Sequence, residues 1–286
     1  MVQKLKDSPL FKPVLFILVS IISLALFGKE IPELIRLILH ESEYSHLGIV
    51  PLITLFFLWS GRKQFLSERG LVLPGTIMVV VGAVYALLLN FVHWNDLVLP
   101  LSLKGFGVIM VIYGTFIMFW GLSGFKKVLF PFILLLLAIP FPFSVLDSII
   151  RFLQHGSAVM VDWLFTILGQ SFVRDDISFH LDKVSITIAP ECSGIRSTMA
   201  LIITGAVAAE MFLKRPWIKV LMVLFLIPLS LLKNAIRIVT ITMLAQYVDM
   251  SFLTHSFLHK SGGVIFYLIV LAIYFPVLFI LAKLET

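Results

Sequence analysis

Long apolar runs constrain this chain more than any other feature of its sequence. An α-helix needs about 20 predominantly apolar residues to cross the hydrocarbon core of a bilayer. Here 60% of the 286 residues are hydrophobic and only 13% are charged, whereas a soluble domain carries about 25% charged residues. The composition therefore excludes an ordinary soluble enzyme, a disordered chain and a disulfide scaffold. It predicts an all-α polytopic membrane protein.

We predict about eight transmembrane helices, with no soluble domain and no convincing internal repeat between them. The second is short and can draw on part of 31–45. The predicted spans are 10–28, 46–60, 71–93, 105–122, 128–146, 193–213, 216–247 and 262–283.

The basic residues predict which side of the membrane each loop faces, because cytoplasmic loops carry an excess of Lys and Arg. With the N-terminus inside, twelve basic and four acidic residues face the cytoplasm, against seven basic and twelve acidic residues outside. Both termini are therefore expected in the cytoplasm. This asymmetry accounts for the net charge of +6 without a nucleic-acid partner. The outer basic residues are Lys29, Arg36, Lys104, Arg151, Arg174, Lys183 and Lys260.

Residues 147–172 could form a ninth span, but the charges oppose it. Spanning would move the basic loop at 214–219 outside and the acidic pair Asp175 and Asp176 inside, both against the charge rule. We therefore predict an amphipathic helix on the outer leaflet. After it, period-two alternation on either side of residues 182–183 predicts a small extracytoplasmic β-hairpin within 175–188.

Several polar residues converge at one predicted depth near the outer surface. Cys192, the only cysteine, opens a span, and Arg196 is expected one turn deeper, at i+4 on the same helix face. Arg237 lies 21 residues after Pro216, or about 31 Å along a helix. Ionisable residues within a membrane are costly and mark candidate functional sites. The candidate catalytic residues are Cys192, Arg237 and His259, and the supporting candidates are Arg196, Asn234 and His255.

This set of side chains matches the chemistry of a thiol protease or transpeptidase. A helix N-terminus and nearby cations favour a nucleophilic thiolate, histidine serves as acid and base, and arginine stabilises an oxyanion. Simpler interpretations stay open: an inert core thiol and arginines that reach lipid headgroups. His255 and His259 are spaced i,i+4 but have no apparent third ligand, so we expect no metal and no cofactor.

Three motifs in the second half of the chain resemble the exosortase/archaeosortase family of membrane transpeptidases. Residues 190–197, PECSGIRS, resemble its cysteine motif, and residues 234–238, NAIRI, resemble its Asn-x-x-Arg motif. Residues 259–266, HKSGGVIF, resemble a His-x-x-x-Gly motif. The resemblance implies a single transmembrane domain over 1–286, with variable N-terminal spans in 1–127 and a catalytic core in 128–286.

The resemblance also implies roles for individual residues. Cys192 would be the nucleophile, Arg237 the transition-state stabiliser and His259 the acid and base, with His255 as the alternative. Arg196 and Asn234 would be supporting residues. Archaeal members carry an arginine in place of this histidine, so the bacterial type and the bacterial cytoplasmic membrane are implied.

The family's substrates are exported proteins that end in a short motif, a membrane helix and a basic tail. The resemblance implies cleavage outside the membrane through a Cys192 thioester, and transfer to an acceptor amine, lipid or polysaccharide precursor. Two other functions are compatible with the sequence. One is a transporter or a lipid- or anion-binding protein that uses the intramembrane arginines, and the other is a structural subunit of an export complex.

Overall fold

The computed structural model describes residues 11–253 and 257–285, without the side chains of 257–262. This part of the chain consists of helices and one small sheet, and it divides into two compact units, residues 1–143 and 144–286. The α-helices are α1 (Phe11–Ser23), α2 (Ile31–His40), α3 (His46–Ser60), α4 (Arg62–Phe65), α5 (Val72–Leu88), α6 (Leu99–Lys127), α7 (Leu129–Leu135), α8 (Phe143–Ile167), α9 (Ile195–Phe212), α10 (Pro216–Tyr247) and α11 (Phe257–Leu284).

The predicted class, a polytopic all-helical membrane protein, is confirmed. Among the described residues, six segments are long and apolar enough to cross a membrane, and a seventh arises if 129–138 and 143–167 form one broken span. The six segments are Phe11–His40, Val72–Phe91, Leu99–Lys127, Pro190–Phe212, Pro216–Tyr247 and Gly263–Leu284.

Two of the eight predicted spans take a different form. Helix α3 covers the predicted 46–60, but its 15 residues reach only about 22 Å, less than the hydrocarbon thickness of about 30 Å. The predicted span 128–146 is interrupted: helical structure after α7 ends at Ala138, Ile139 is extended, and α8 begins at Phe143. Pro140 and Pro142 explain the break, because proline donates no backbone hydrogen bond and disfavours helical geometry in the residue before it.

The first unit buries a cation that the sequence analysis assigned to the outer side. Helix α6 begins at Leu99, and the side chain of Lys104 is fully buried. Its ammonium group donates to Glu30 Oε2 at 2.5 Å and Asn90 Oδ1 at 2.7 Å, and to the Phe27 carbonyl at 3.3 Å. A buried charge is stable only when it is paired and hydrogen-bonded, so this cluster ties α6 to the segment after α1.

The second unit contains the sheet, which has one strand more than predicted. The antiparallel strands are β1 (Val173–Asp175), β2 (Ser178–His180) and β3 (Ser185–Thr187), in the order β1-β2-β3. Strands β2 and β3 form the predicted hairpin and pair Phe179 with Ile186. The segment predicted as an amphipathic helix is α8, which starts four residues earlier and ends five residues earlier than expected.

Two apolar clusters hold the second unit together. One joins α9, α10 and α11 around Leu201, Leu226 and Tyr274, and the Tyr274 hydroxyl donates to the Gly205 carbonyl at 2.9 Å. The other joins α8, the sheet and α10; its buried members include Phe165, Phe179 and Ala235. Cys192 packs against this second cluster, so α8, the sheet and α10 together position the candidate site.

Candidate active site

Cys192 lies in a turn before α9 and not in the helix itself. Residues Pro190–Cys192 form a single 3-10 turn, in which the Cys192 amide donates to the Ala189 carbonyl at 2.8 Å. Gly194 then adopts φ +79°, and α9 begins at Ile195. The left-handed residue changes the direction of the chain between the turn and the helix.

The predicted relation between Cys192 and Arg196 is therefore wrong. It assumed one continuous helix, whereas Gly194 separates the two residues with a left-handed conformation. Arg196 is exposed at the start of α9, and Cys192 is half-buried. The supporting role of Arg196, which the resemblance implied, stays a prediction.

Asn234 holds the cysteine turn from α10. The side chain is 2% exposed, and its amide nitrogen donates to the carbonyls of Cys192 at 2.9 Å and Ser193 at 3.2 Å. The same nitrogen lies 3.0 Å from the hydroxyl oxygen of Ser157, a buried residue of α8. One amide group thus fixes two successive carbonyls of the turn and links α10 to α8.

Lys233 links α10 to a third carbonyl of the same segment, that of Gly194. The side chain is 3% exposed, and its ammonium group donates to the Ser197 hydroxyl at 2.5 Å. The Ser197 hydroxyl in turn donates to the Gly194 carbonyl at 3.0 Å. Lys233 and Asn234, adjacent on α10, therefore hold the three successive carbonyls of residues 192–194, directly or through Ser197. We call this arrangement the carbonyl clamp.

Arg237 brings a second cation of α10 to the cysteine. It is half-buried and lies one helical turn after Lys233. Its guanidinium group lies within electrostatic range of both the Cys192 sulfur and the Lys233 ammonium group. The structure thus brings Cys192, Asn234 and Arg237 together, three of the six residues predicted from sequence.

The side chains of the two histidines lie outside the part of the chain that the structure describes. His255 falls in 254–256, and His259 falls within the bounds of α11 among the residues whose side chains are not described. Their roles as acid and base stay predictions.

Sequence reasoning missed Lys233, Ser197 and Ser157. Lys233 carried a usable signal, because a lysine inside an apolar span marks a candidate functional position. Ser197 lies within the quoted cysteine motif, but nothing in the sequence shows that it links Lys233 to Gly194. Ser157 is one of several serines in the second unit, and only the packing of α8 against α10 identifies it.

The fold and the site define a polytopic membrane protein in which a half-buried cysteine lies beside cations of a neighbouring helix. The family model for transmembrane exosortases matches residues 38–276. The chain therefore belongs to the transmembrane exosortase family, as its motifs predicted, and at family level it is a membrane transpeptidase of protein sorting. Neither the curated proteins nor the solved structures include a significant match to the chain.

Proposed function

We propose that this protein cleaves the C-terminal sorting signal of exported proteins, with Cys192 as the nucleophile, and passes the cleaved protein to an acceptor. The observation that carries the proposal is the position of the Cys192 sulfur. The sulfur is half-buried, within electrostatic range of Arg237, on a turn held by the carbonyl clamp. A nucleophile needs this fixed position, because small displacements from the attack geometry slow a reaction strongly.

In the first step the histidine, His259 or His255, takes the proton of the Cys192 thiol, and the sulfur attacks the scissile carbonyl carbon. A carbon–sulfur bond forms and the carbonyl oxygen becomes an oxyanion, whose charge the Arg237 guanidinium stabilises. The carbon–nitrogen bond then breaks, and the leaving amine takes a proton from the acid, His259 or His255. The products are a Cys192 thioester and the released C-terminal helix.

In the second step an acceptor attacks the thioester. An amine or hydroxyl group of a lipid or polysaccharide precursor loses its proton to the histidine and forms a bond to the acyl carbon. The carbon–sulfur bond breaks, the sulfur takes that proton from the histidine, and the Cys192 thiol is regenerated. Water in place of the acceptor would give simple hydrolysis.

The site's position relative to the bilayer supports the proposed substrate class. Cys192 lies at the start of the apolar segment 190–212 and not at its middle, so it would meet a substrate where a membrane helix leaves the bilayer. The charge asymmetry favours the outer side for this end. Exported proteins with a short motif, a membrane helix and a basic tail place the scissile bond there.

Replacement of the cysteine tests the proposal. In cells whose only copy carries Cys192→Ala, proteins with such C-terminal tails should accumulate at full length in the membrane, as measured by mass spectrometry of their C-terminal peptides. Ser148→Ala, at an exposed serine of α8, is the matched control and should process normally.

Unchanged processing in Cys192→Ala would overturn the nucleophile assignment. Suppose that Cys192→Ala keeps the protein's function in cells while Lys233→Met and Arg237→Met each abolish it. The two cations would then favour an anion-binding protein instead.

A further inference from the structure

The sheet of the second unit has an edge that the proposed reaction does not use. Among the strands that the structure describes, β3 (Ser185–Thr187) pairs only with β2. Its other edge leads toward the candidate site, because the chain reaches Cys192 five residues after Thr187. The hydrogen-bond pattern of the sheet shows which backbone groups this edge presents.

The pairing of β2 with β3 turns the backbone groups of Ser185 and Thr187 outward. The Leu181 amide donates to the Val184 carbonyl at 2.8 Å, so these two residues form a hydrogen-bonded pair. Opposed residues of an antiparallel ladder alternate between hydrogen-bonded and non-hydrogen-bonded pairs. The next pair, His180 and Ser185, is therefore non-hydrogen-bonded, and Thr187 has the same orientation because it lies two residues further along the strand.

The side chains agree with this assignment, because side chains are closest in non-hydrogen-bonded pairs. Ser185 Oγ lies 3.0 Å from His180 Nδ1, and Thr187 Oγ1 lies 2.9 Å from Ser178 Oγ. The backbone amides and carbonyls of Ser185 and Thr187 form no hydrogen bond with any residue that the structure describes. Both residues are exposed, so these four groups are open to a partner.

The inner face of the sheet holds this edge in place. Phe179 of β2 is fully buried, and Ile186 of β3 is partly buried beside it. Both pack in the cluster that joins the sheet to α8 and α10, and Cys192 packs against the same cluster. The open edge and the proposed nucleophile are therefore positioned by one set of contacts.

An extended peptide backbone is the partner that such an edge fits. Exposed strand edges bind peptides by adding a strand, with hydrogen bonds from backbone to backbone. An α-helix cannot pair in this way, because its own backbone groups are bonded to one another. The five residues from Thr187 to Cys192 span at most about 17 Å, so a substrate segment of similar length on this edge would reach the sulfur.

We propose that the substrate adds a strand to β3, with the residues that precede its scissile bond paired to the backbone of Ser185 and Thr187. This inference rests on the proposed function, since it concerns the same substrate. The apolar segment 190–212 begins just after the edge, so the substrate's membrane helix, which follows the scissile bond, would enter the bilayer there. The residues before that bond would lie along the sheet, in an extended conformation that backbone contacts select.

Photo-crosslinking in cells tests the proposal. p-Benzoylphenylalanine replaces Ser185 in a Cys192→Ala protein, which would retain full-length precursors because it lacks the nucleophile. The same probe in place of Val173, which is 68% exposed on β1 at the other edge of the sheet, is the matched control. We expect precursor residues just before the cleavage site on the Ser185 probe, with a yield at least fivefold above that of the Val173 probe.

Three results would overturn the proposal: equal yields from the two probes, cross-links only to precursor residues after the cleavage site, or cross-links to a second copy of this chain in place of the precursor. Failure of the proposed function gives a different result. In that case Cys192→Ala would accumulate no precursor, and the inference would fall with the function on which it rests.

Proline at the edge tests the backbone contact itself. Thr187→Pro removes the outward amide hydrogen, which takes no part in the ladder with β2, whereas Thr187→Val removes the hydroxyl group and keeps that amide. We expect the yield of precursor cross-links from the Ser185 probe to be about threefold lower in Thr187→Pro than in Thr187→Val, as the loss of one hydrogen bond implies. Equal yields in the two folded variants would contradict the proposal, and the comparison of the Ser185 and Val173 probes decides if the proline variant does not fold.

Discussion

At the scale of single residues, Gly194 sets the geometry of the candidate site. Its φ of +79° lies in the left-handed region, which residues with a β-carbon occupy at a cost of about 1–2 kcal/mol. A β-carbon built on Gly194 would also lie only 3.0 Å from Asn234 Oδ1. Any side chain here would therefore strain the turn and push on the carbonyl clamp.

We expect Gly194→Ala to lower substrate processing at least tenfold, while the protein remains folded and inserted. Gly169→Ala is the matched control, because Gly169 has φ +66° but a β-carbon there would meet nothing within 4 Å. In both variants an alanine must adopt a left-handed backbone conformation at a similar cost in free energy. The difference between their processing rates therefore reports the contact with Asn234. Equal processing rates, measured from the ratio of mature to precursor protein, would show that this contact does not matter.

The sequence predicted the central residues of the site but not how they are held. The motifs identified Cys192, Asn234 and Arg237, which the structure brings together. The helical spacing argument for Arg196 failed, because it ignored the left-handed conformation that a glycine between two helical segments allows. The hydrogen bond from Lys233 to Ser197 depends on how α9 and α10 pack, which the sequence does not specify.

At the scale of elements, α8 supports the segment that leads into the cysteine turn. Gln154 of α8 is 6% exposed, and its amide nitrogen donates to the carbonyl of Ile188 at 2.7 Å. Ile188 is buried and lies four residues before Cys192. This contact fixes the end of the sheet against the helix, and so fixes the start of the turn.

Replacement of Gln154 with leucine should loosen this support. The variant keeps a similar volume but leaves the buried Ile188 carbonyl without its donor, at a cost of about 1–3 kcal/mol. We expect faster amide hydrogen exchange in residues 173–188 and a lower unfolding temperature. Gln64→Leu, at an exposed glutamine of α4, should change neither, and unchanged exchange in the Gln154 variant would refute the supporting role.

Elements were predictable where one local pattern dominated. The β2–β3 hairpin was predicted from the alternation of apolar and polar residues on either side of residues 182–183, and the structure confirms it. Strand β1, Val173–Asp175, has one apolar residue followed by two charged ones, so alternation did not identify it. The break in the predicted span 128–146 was visible in Pro140 and Pro142, but the apolar composition of the segment outweighed them in the prediction.

At the scale of the whole molecule, the distribution of charge predicts how the chain crosses the membrane. Cytoplasmic basic residues would include Lys63, and Lys183 would lie outside, in the loop between β2 and β3. Both side chains are exposed. Lys104 is buried in an ion pair with Glu30, so it adds no exposed positive charge to the predicted outer side.

Cysteine labelling in intact cells tests this topology. In a Cys192→Ser background the chain has no other cysteine, so Lys63→Cys and Lys183→Cys each introduce a single reactive thiol. A membrane-impermeant maleimide should label Lys183→Cys in intact cells and Lys63→Cys only after permeabilisation. The reverse pattern would place the candidate site on the cytoplasmic side.

Capture of the acyl-enzyme tests the central claim most directly. The protein is isolated under denaturing conditions from cells that process exported proteins, digested, and its Cys192 peptide is analysed by mass spectrometry. We expect a fraction of this peptide to carry the C-terminal residues of a cleaved protein as a thioester that hydroxylamine removes, and we expect less of it in Arg237→Ala. Normal processing with no adduct on Cys192, or with the adduct on another residue, would contradict the account.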